Sequence, residues 1–232
     1  MIDKLLSYER SVFFFLNGSD SIYLDHFMWL FSTRVVWLPL AAFILFVFFY
    51  KKKLKEVVIL MMTIVLVITL CDQFASHFCK PFFTSFRPTH HPDFMEHVDT
   101  VFGYRGGRYG FISSHAANAM GAAMFMTLLF KNKLFGWTMY IWAILTAYSR
   151  VYLGVHFITD IFFGTLAGLT IGLFVYHLYV YIRPKILGND IPEPEELYTQ
   201  KDKHLIVYGI WVNVALMLIF NYLIVSFIRK FI

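Results

Sequence analysis

Residues 57–79 read VVILMMTIVLVITLCDQFASHFC. A helix needs about 20 residues, at about 1.5 Å each, to cross the roughly 30 Å of bilayer hydrocarbon, and this run supplies them. Backbone groups in lipid must be satisfied within their own segment, and the alternation of a barrel strand is absent, so the run predicts a helix. Comparable apolar runs lie at 27–50, 111–130, 134–153, 157–182 and 205–228. The expected fold is all-α: a polytopic membrane helical bundle of about six transmembrane helices. Residues 3–26 are broken by NGSDS (17–21) and by Asp25, and read as an amphipathic segment at the membrane interface. The opening MIDKLLSYER lacks the apolar core and cleavage site of a signal peptide.

Composition agrees. The chain has 232 residues, 59% of them apolar, 20% aromatic and 15% charged. A soluble domain carries roughly 45–50% apolar and about 25% charged residues, so an ordinary soluble enzyme, a disordered chain and a coiled coil are all poor fits. No internal repeat interrupts the chain, which reads as one membrane-embedded domain over 1–232. The net charge of +5 is the surplus that cytoplasmic loops give a membrane protein, and nucleic acid is not expected as a partner. Cys71 and Cys79, eight apart in an apolar run, form no disulfide framework and match no zinc spacing.

The lysines set an orientation. KKKLK at 51–55, KNK at 131–133 and the 183–203 connection are short and basic, and alternation of spans brings all three to one side. The positive-inside tendency makes that side cytoplasmic. The 80–110 loop and the turn near 150–156 then share the outer face. The expected location is the inner (cytoplasmic) membrane, multi-pass, with any site on those loops extracytoplasmic. The 183–204 loop, with its PEPEE acids at 192–196, reads as a solvated connector rather than a partner-binding segment.

Most of the remaining basic residues gather at the outer ends. Lys80 and Arg87 are seven apart, two helical turns, and on a helix they share a face. Arg105 and Arg108 stand in GYRGGRYG (103–110), followed by FISSHAAN at 111–118. Arg150 precedes His156 and Asp160, which are at i, i+4. An Asp there accepts from one ring nitrogen and leaves the other as a directed lone pair. Ionisable groups at the ends of membrane spans point to a functional site. Guanidinium forks and a lysine suit phosphate oxygens, and Ser113 adds a hydroxyl at a helix N-terminus. One histidine oriented by a carboxylate and a second, His115, without one are the equipment of a nucleophile and an acid.

These residues also fit a known pattern. Lys80-PFFTSF-Arg87-Pro88 matches KxxxxxxRP, and Ser149-Arg150-VYLGV-His156-FIT-Asp160 matches SRxxxxxHxxxD. FISSHA stands where FPSGHA is expected. Taken in this order over 80–160, the chain resembles the type 2 phosphatidic acid phosphatase superfamily, integral-membrane lipid phosphate phosphatases. The resemblance implies that Lys80, Arg87 and Arg150 clamp the phosphate with help from Ser113 and the backbone of Ser114. It implies that His156 attacks phosphorus, that Asp160 holds its imidazole and that His115 protonates the leaving oxygen. It also implies an outward-facing site that needs no metal and no cofactor. Ile112 and Ser114 depart from the family's proline and glycine, which touches fine geometry and substrate preference rather than the reaction.

Duller readings stand beside these. Lys80 and Arg87 alone are what snorkelling residues at a helix end look like, and His156 with Asp160 alone is what a structural pair looks like. Arg105 and Arg108 fit either a second phosphate or head group, or a plain mobile loop. His77, His90, His91 and His97 match no metal-ligand spacing, so no metal site is expected. Gly164 and Gly168 read as a helix-packing pair. Arg34 reads as an interfacial residue, and Asp72 as an acid that pairs with one of the motif cations.

The expected function is hydrolysis of a lipid phosphomonoester or pyrophosphate through a phosphohistidine. The candidate lipids are undecaprenyl pyrophosphate, phosphatidylglycerol phosphate, phosphatidic acid and a lipid A phosphate, the first slightly favoured by Arg105 and Arg108. The partners expected are the lipid substrate and the bilayer, with no obligate protein partner. The rivals are a non-catalytic phosphate-lipid binder or transporter, and a vanadate-dependent haloperoxidase-like enzyme.

Overall fold

The computed structural model describes residues 2–188 and 192–230. Its helices are α1 (Ile2–Leu16), α2 (Ile22–Ser32), α3 (Leu38–Phe49), α4 (Leu54–Asp72), α5 (Lys80–Phe83), α6 (Ser114–Phe130), α7 (Lys133–Tyr152), α8 (Ile158–Leu187) and α9 (Gln200–Ile228). No strand occurs among the described residues beyond one antiparallel bridge between Phe86 and Tyr109. The fold is an all-α helical bundle.

Leu54–Phe83, Ile158–Leu187 and Gln200–Ile228 are each long and apolar enough to cross a membrane. Leu54–Phe83 is continuous because a π-helical segment, Gln73–Cys79, joins α4 to α5. The expected span at 27–50 is instead a broken one: Ile22–Ser32 and Val35–Phe49 meet at 71°. Thr33 is extended there, its hydroxyl donates to the Trp29 carbonyl at 2.8 Å, and Pro39 falls in the first turn of α3. Among the described residues the apolar helices long enough to span therefore number three, or four with the bent pair, beside the six runs in the sequence. α6 has only 17 residues and α7, with 20, includes Lys133 and Arg150. α6 lies at the centre, packed against α4, α7 and α8.

Glycines set the closest approach. A Cβ on Gly164 would sit 2.7 Å from the Ser113 carbonyl oxygen, and one on Gly172 would sit 2.5 Å from that of Gly121. Between them, a Cβ on Gly168 would strike the Ala117 carbonyl. α8 thus lies directly on the α6 backbone through one small-residue face, as the Gly164–Gly168 pair predicts.

The ends of the bundle differ. At the lysine-rich end Arg183 makes two hydrogen bonds to buried Glu56, Nε–Oε2 at 3.0 Å and Nη2–Oε1 at 2.8 Å. Arg183 also donates to the Pro192 carbonyl, Lys131 pairs with Glu195 at 2.7 Å, and Lys203 donates to the Glu195 carbonyl. The PEPEE segment is thus tethered at Pro192 and Glu195 by cations of α8, α9 and the 131–133 connection, while Glu193 and Glu196 stay exposed as a solvated connector would leave them. At the opposite end α1 lies against α7 and α8, and Glu9 accepts from the first-turn amide of Thr159 at 2.9 Å.

Candidate active site

Four segments converge at this second end. The first is the end of Leu54–Phe83. Asp72 accepts from Ser76 at 3.3 Å and Ser76 from the Lys80 ammonium at 3.2 Å. Asp72 thus reaches a motif cation, as expected, but through a serine. Lys80 also donates to the Ser114 hydroxyl at 3.3 Å. The serine that replaces the family glycine is in contact with the lysine, while Ile112 packs in an apolar cluster with Ala75 and Cys79.

The second segment, 84–110, carries Arg87. Its Nε donates to the Tyr109 carbonyl at 3.1 Å and Nη1 to the Val155 carbonyl at 3.3 Å. The glycine-rich loop lies close over it: a Cβ on Gly106 would come within 2.8 Å of Arg87 Nη1, and one on Gly110 within 2.8 Å of Asp160 Oδ2. Gly106 has φ +68°, a left-handed conformation that glycine adopts without a Cβ penalty. Arg105 and Arg108 are both exposed on this loop. The Arg108 guanidinium rests 5.1 Å from the Phe86 ring centre and 5.6 Å from that of Tyr109.

The third segment is the start of α6. Ser113 is fully buried, caps the helix by accepting from the Ala116 amide, and donates its own N–H to the Asp160 carbonyl at 3.1 Å. The amides of this first turn give a favourable field for an anion.

The fourth runs from the end of α7 into α8. Arg150, buried, donates from Nη2 to the Tyr104 hydroxyl at 3.0 Å and from Nη1 to the Ser32 hydroxyl. Its Nε has no partner among the described residues. His156 and Asp160 are both buried, with Nδ1 3.1 Å from Oδ2. The same carboxylate oxygen accepts from the Phe157 amide at 3.1 Å. A carboxylate only accepts, so Nδ1 carries the proton and Nε2 holds the lone pair. Burial pushes the His156 pKa well below its ordinary value, and the charges of Arg87, Arg150 and Lys80 add to the effect. The imidazole is therefore neutral.

Sequence reasoning overlooked Tyr104, Ser32 and Ser76. Arg34, read as interfacial, lines two cavities together with Ser32 and His115. Its only signal was a cation inside an apolar run. Among the described residues no group of three metal-ligating side chains could hold a metal ion.

An all-helical bundle with cations, a helix N-terminus and an Asp-oriented neutral histidine at one end of its apolar helices defines a membrane-embedded phosphatase. The model of the PAP2 superfamily matches residues 57–184, and the chain belongs to that superfamily as a multi-pass membrane enzyme. It is 43% identical over 198 residues to the lipid A 4'-phosphatase of Porphyromonas gingivalis, covering 85% of this chain and 84% of that one. It is 32% identical over 225 residues to the lipid A 4'-phosphatase of Bacteroides thetaiotaomicron, covering 95% and 98%. Its fold is like that of a transmembrane PAP2-type phosphatidylglycerolphosphate phosphatase from Bacillus subtilis. The TM-score is 0.54 at 24% identity, over 79% of this chain and 88% of that one.

Proposed function

We propose that the chain, as one membrane-embedded unit over 1–232, removes a phosphate from the sugar of a lipid A-type saccharide lipid. The reaction takes place at the extracytoplasmic face of the cytoplasmic membrane, without a metal or another cofactor. The observation that carries the chemistry is the buried His156–Asp160 pair, whose Nε2 lone pair makes no hydrogen bond among the described residues.

In the first step His156 Nε2 forms a bond to phosphorus while the phosphorus–oxygen bond to the sugar breaks. Lys80, Arg87, Arg150, the Ser113 hydroxyl and the first amides of α6, including that of Ser114, hold the phosphate oxygens as charge spreads over them. Asp160 fixes the tautomer and stabilises the imidazolium-like phosphohistidine. His115 gives its proton to the departing sugar oxygen. It then takes one from water, which attacks phosphorus and releases inorganic phosphate and neutral His156.

The two relatives named for lipid A 4'-phosphate support a saccharide phosphate over undecaprenyl pyrophosphate. The exposed placement of Arg105 and Arg108, with Arg108 spread over two rings, supports the same preference. The test is phosphate release by purified protein in detergent with chelator. The panel is 4'-phosphorylated lipid A, phosphatidic acid, phosphatidylglycerol phosphate and undecaprenyl pyrophosphate, beside His156→Ala. Fastest release from lipid A, unaffected by chelator and lost in the variant, is the expected result. A faster glycerolipid or pyrophosphate overturns the substrate, a metal requirement overturns the mechanism, and binding without release makes the protein a binder.

A further inference from the structure

The break between α2 and α3 opens a cavity of about 260 Å³ beside His115, lined by Trp29, Ser32, Thr33, Arg34, Tyr104 and Arg150. Neither Lys80, Arg87 nor His156 lines it. The cavity therefore adjoins the acid of the reaction and not its nucleophile. In an in-line displacement the attacking and leaving atoms lie on opposite sides of phosphorus. The group that departs, protonated by His115, must occupy the His115 side.

Its lining sets polar side chains beside the apolar faces of Trp29 and Leu153. Tyr104 and Ser32 are both engaged with Arg150. The Arg34 side chain, exposed at the break, has no ion pair and no hydrogen bond among the described residues. Trp29 is held edge-on by Phe102, with ring centres 5.4 Å apart at 87°. A free guanidinium fork and an indole in one pocket suit a ring that offers oxygen acceptors around an apolar face. The volume lies just under the about 300–1,000 Å³ of drug-sized pockets, which fits one ring better than an acyl chain.

We propose that this cavity is the leaving-group subsite, which takes the hydroxylated sugar ring bearing the scissile phosphate, with Arg34 donating to ring substituents and Trp29 packing against the ring. The inference rests on the reading of His156 as nucleophile and on a saccharide substrate.

Arg34→Ala is the direct test, because an exposed, unpaired side chain can be removed without leaving a buried group unsatisfied. Trp29→Leu is the second variant, each checked for folding by its thermal midpoint in detergent. The readout is the ratio of kcat/KM on 4'-phosphorylated lipid A to that on phosphatidic acid. We expect Arg34→Ala to lower this ratio about tenfold or more, with Arg34→Lys in between. A ratio unchanged within about twofold, or an equal loss on both lipids, overturns the subsite while leaving the substrate reading intact. A wild-type enzyme that prefers phosphatidic acid overturns both.

Discussion

At the residue scale the site turns on one oxygen. Asp160 Oδ2 accepts from both His156 Nδ1 and the Phe157 amide, each at 3.1 Å, so one carboxylate orients the imidazole and caps α8. Asp160→Asn keeps the shape but gives up the negative charge that holds the tautomer. We expect it to lower kcat roughly 10²- to 10⁴-fold, with KM changed little because the proposed phosphate contacts do not include Asp160. Phosphate release over a substrate range separates the two, and a rise in KM at constant kcat would contradict the orienting role. A second expectation concerns pH. The folded His156 pKa lies well below the about 6.5 of a free imidazole, so on acidification the unfolded chain takes up the proton first. Its stabilising contribution is complete above about 6.5 and is lost as pH falls below that value. The thermal midpoint of the wild type should drop between pH 7.5 and 5.5 by more than that of His156→Asn, and parallel curves would contradict a buried neutral imidazole. These residues were legible because their geometry is local, although His156 precedes α8 and meets Asp160 because the first-turn carboxylate folds back over the helix start rather than through a shared helix face. Tyr104 and Ser32 were not, since nothing in a loop tyrosine or a helix-end serine shows that Arg150 will reach them.

At the element scale, two irregularities and one row of glycines aim the side chains. The π-helical segment Gln73–Cys79 lies just before Lys80, so it sets the direction in which the lysine leaves the helix. The break at Thr33 turns a run that reads as one span into a bent pair and carries Arg34 to His115. Neither is legible from hydropathy, which registers the length of an apolar run and not the angle within it. The glycine row was legible as a packing face, though not its partner: α8 lies on α6, whose first turn holds Ser113 and His115. Gly168→Leu would force its side chain into the Ala117 carbonyl and push the helices apart. Overpacking of this kind costs about 1–3 kcal/mol. A shift of about 1 Å between α6 and α8 also separates His115 from His156, which lowers the rate by about 10²-fold. A lower thermal midpoint together with lost phosphate release in the folded fraction is the expected pair of results. Full activity in the variant would mean that the α6–α8 distance does not set the site.

At the scale of the whole molecule the charges are sorted between two ends. Lys52, Lys131 and Arg183 pair with Asp202, Glu195 and Glu56 at one end, while Lys80, Arg87 and Arg150 gather with His115 and His156 at the other, without a carboxylate in direct contact among the described residues. The lysine-rich end is the one that the positive-inside tendency holds in the cytoplasm, because short basic connections are retained there. On that argument the proposed phosphate clamp faces outward. Single cysteines test it, since native Cys71 and Cys79 are both buried and free. Asp93, 67% exposed beside α1 at the site end, and Lys133, exposed at the start of α7 at the other, are suited to labelling. In intact spheroplasts a membrane-impermeant maleimide should label Asp93→Cys at once and Lys133→Cys only after permeabilisation. The reverse pattern would put the clamp in the cytoplasm, where the enzyme would meet its lipid before export instead of after. The choice of leaflet would fix when in the life of the lipid its phosphate is removed, and the proposed orientation assigns that choice to the lysines at the far end of the bundle.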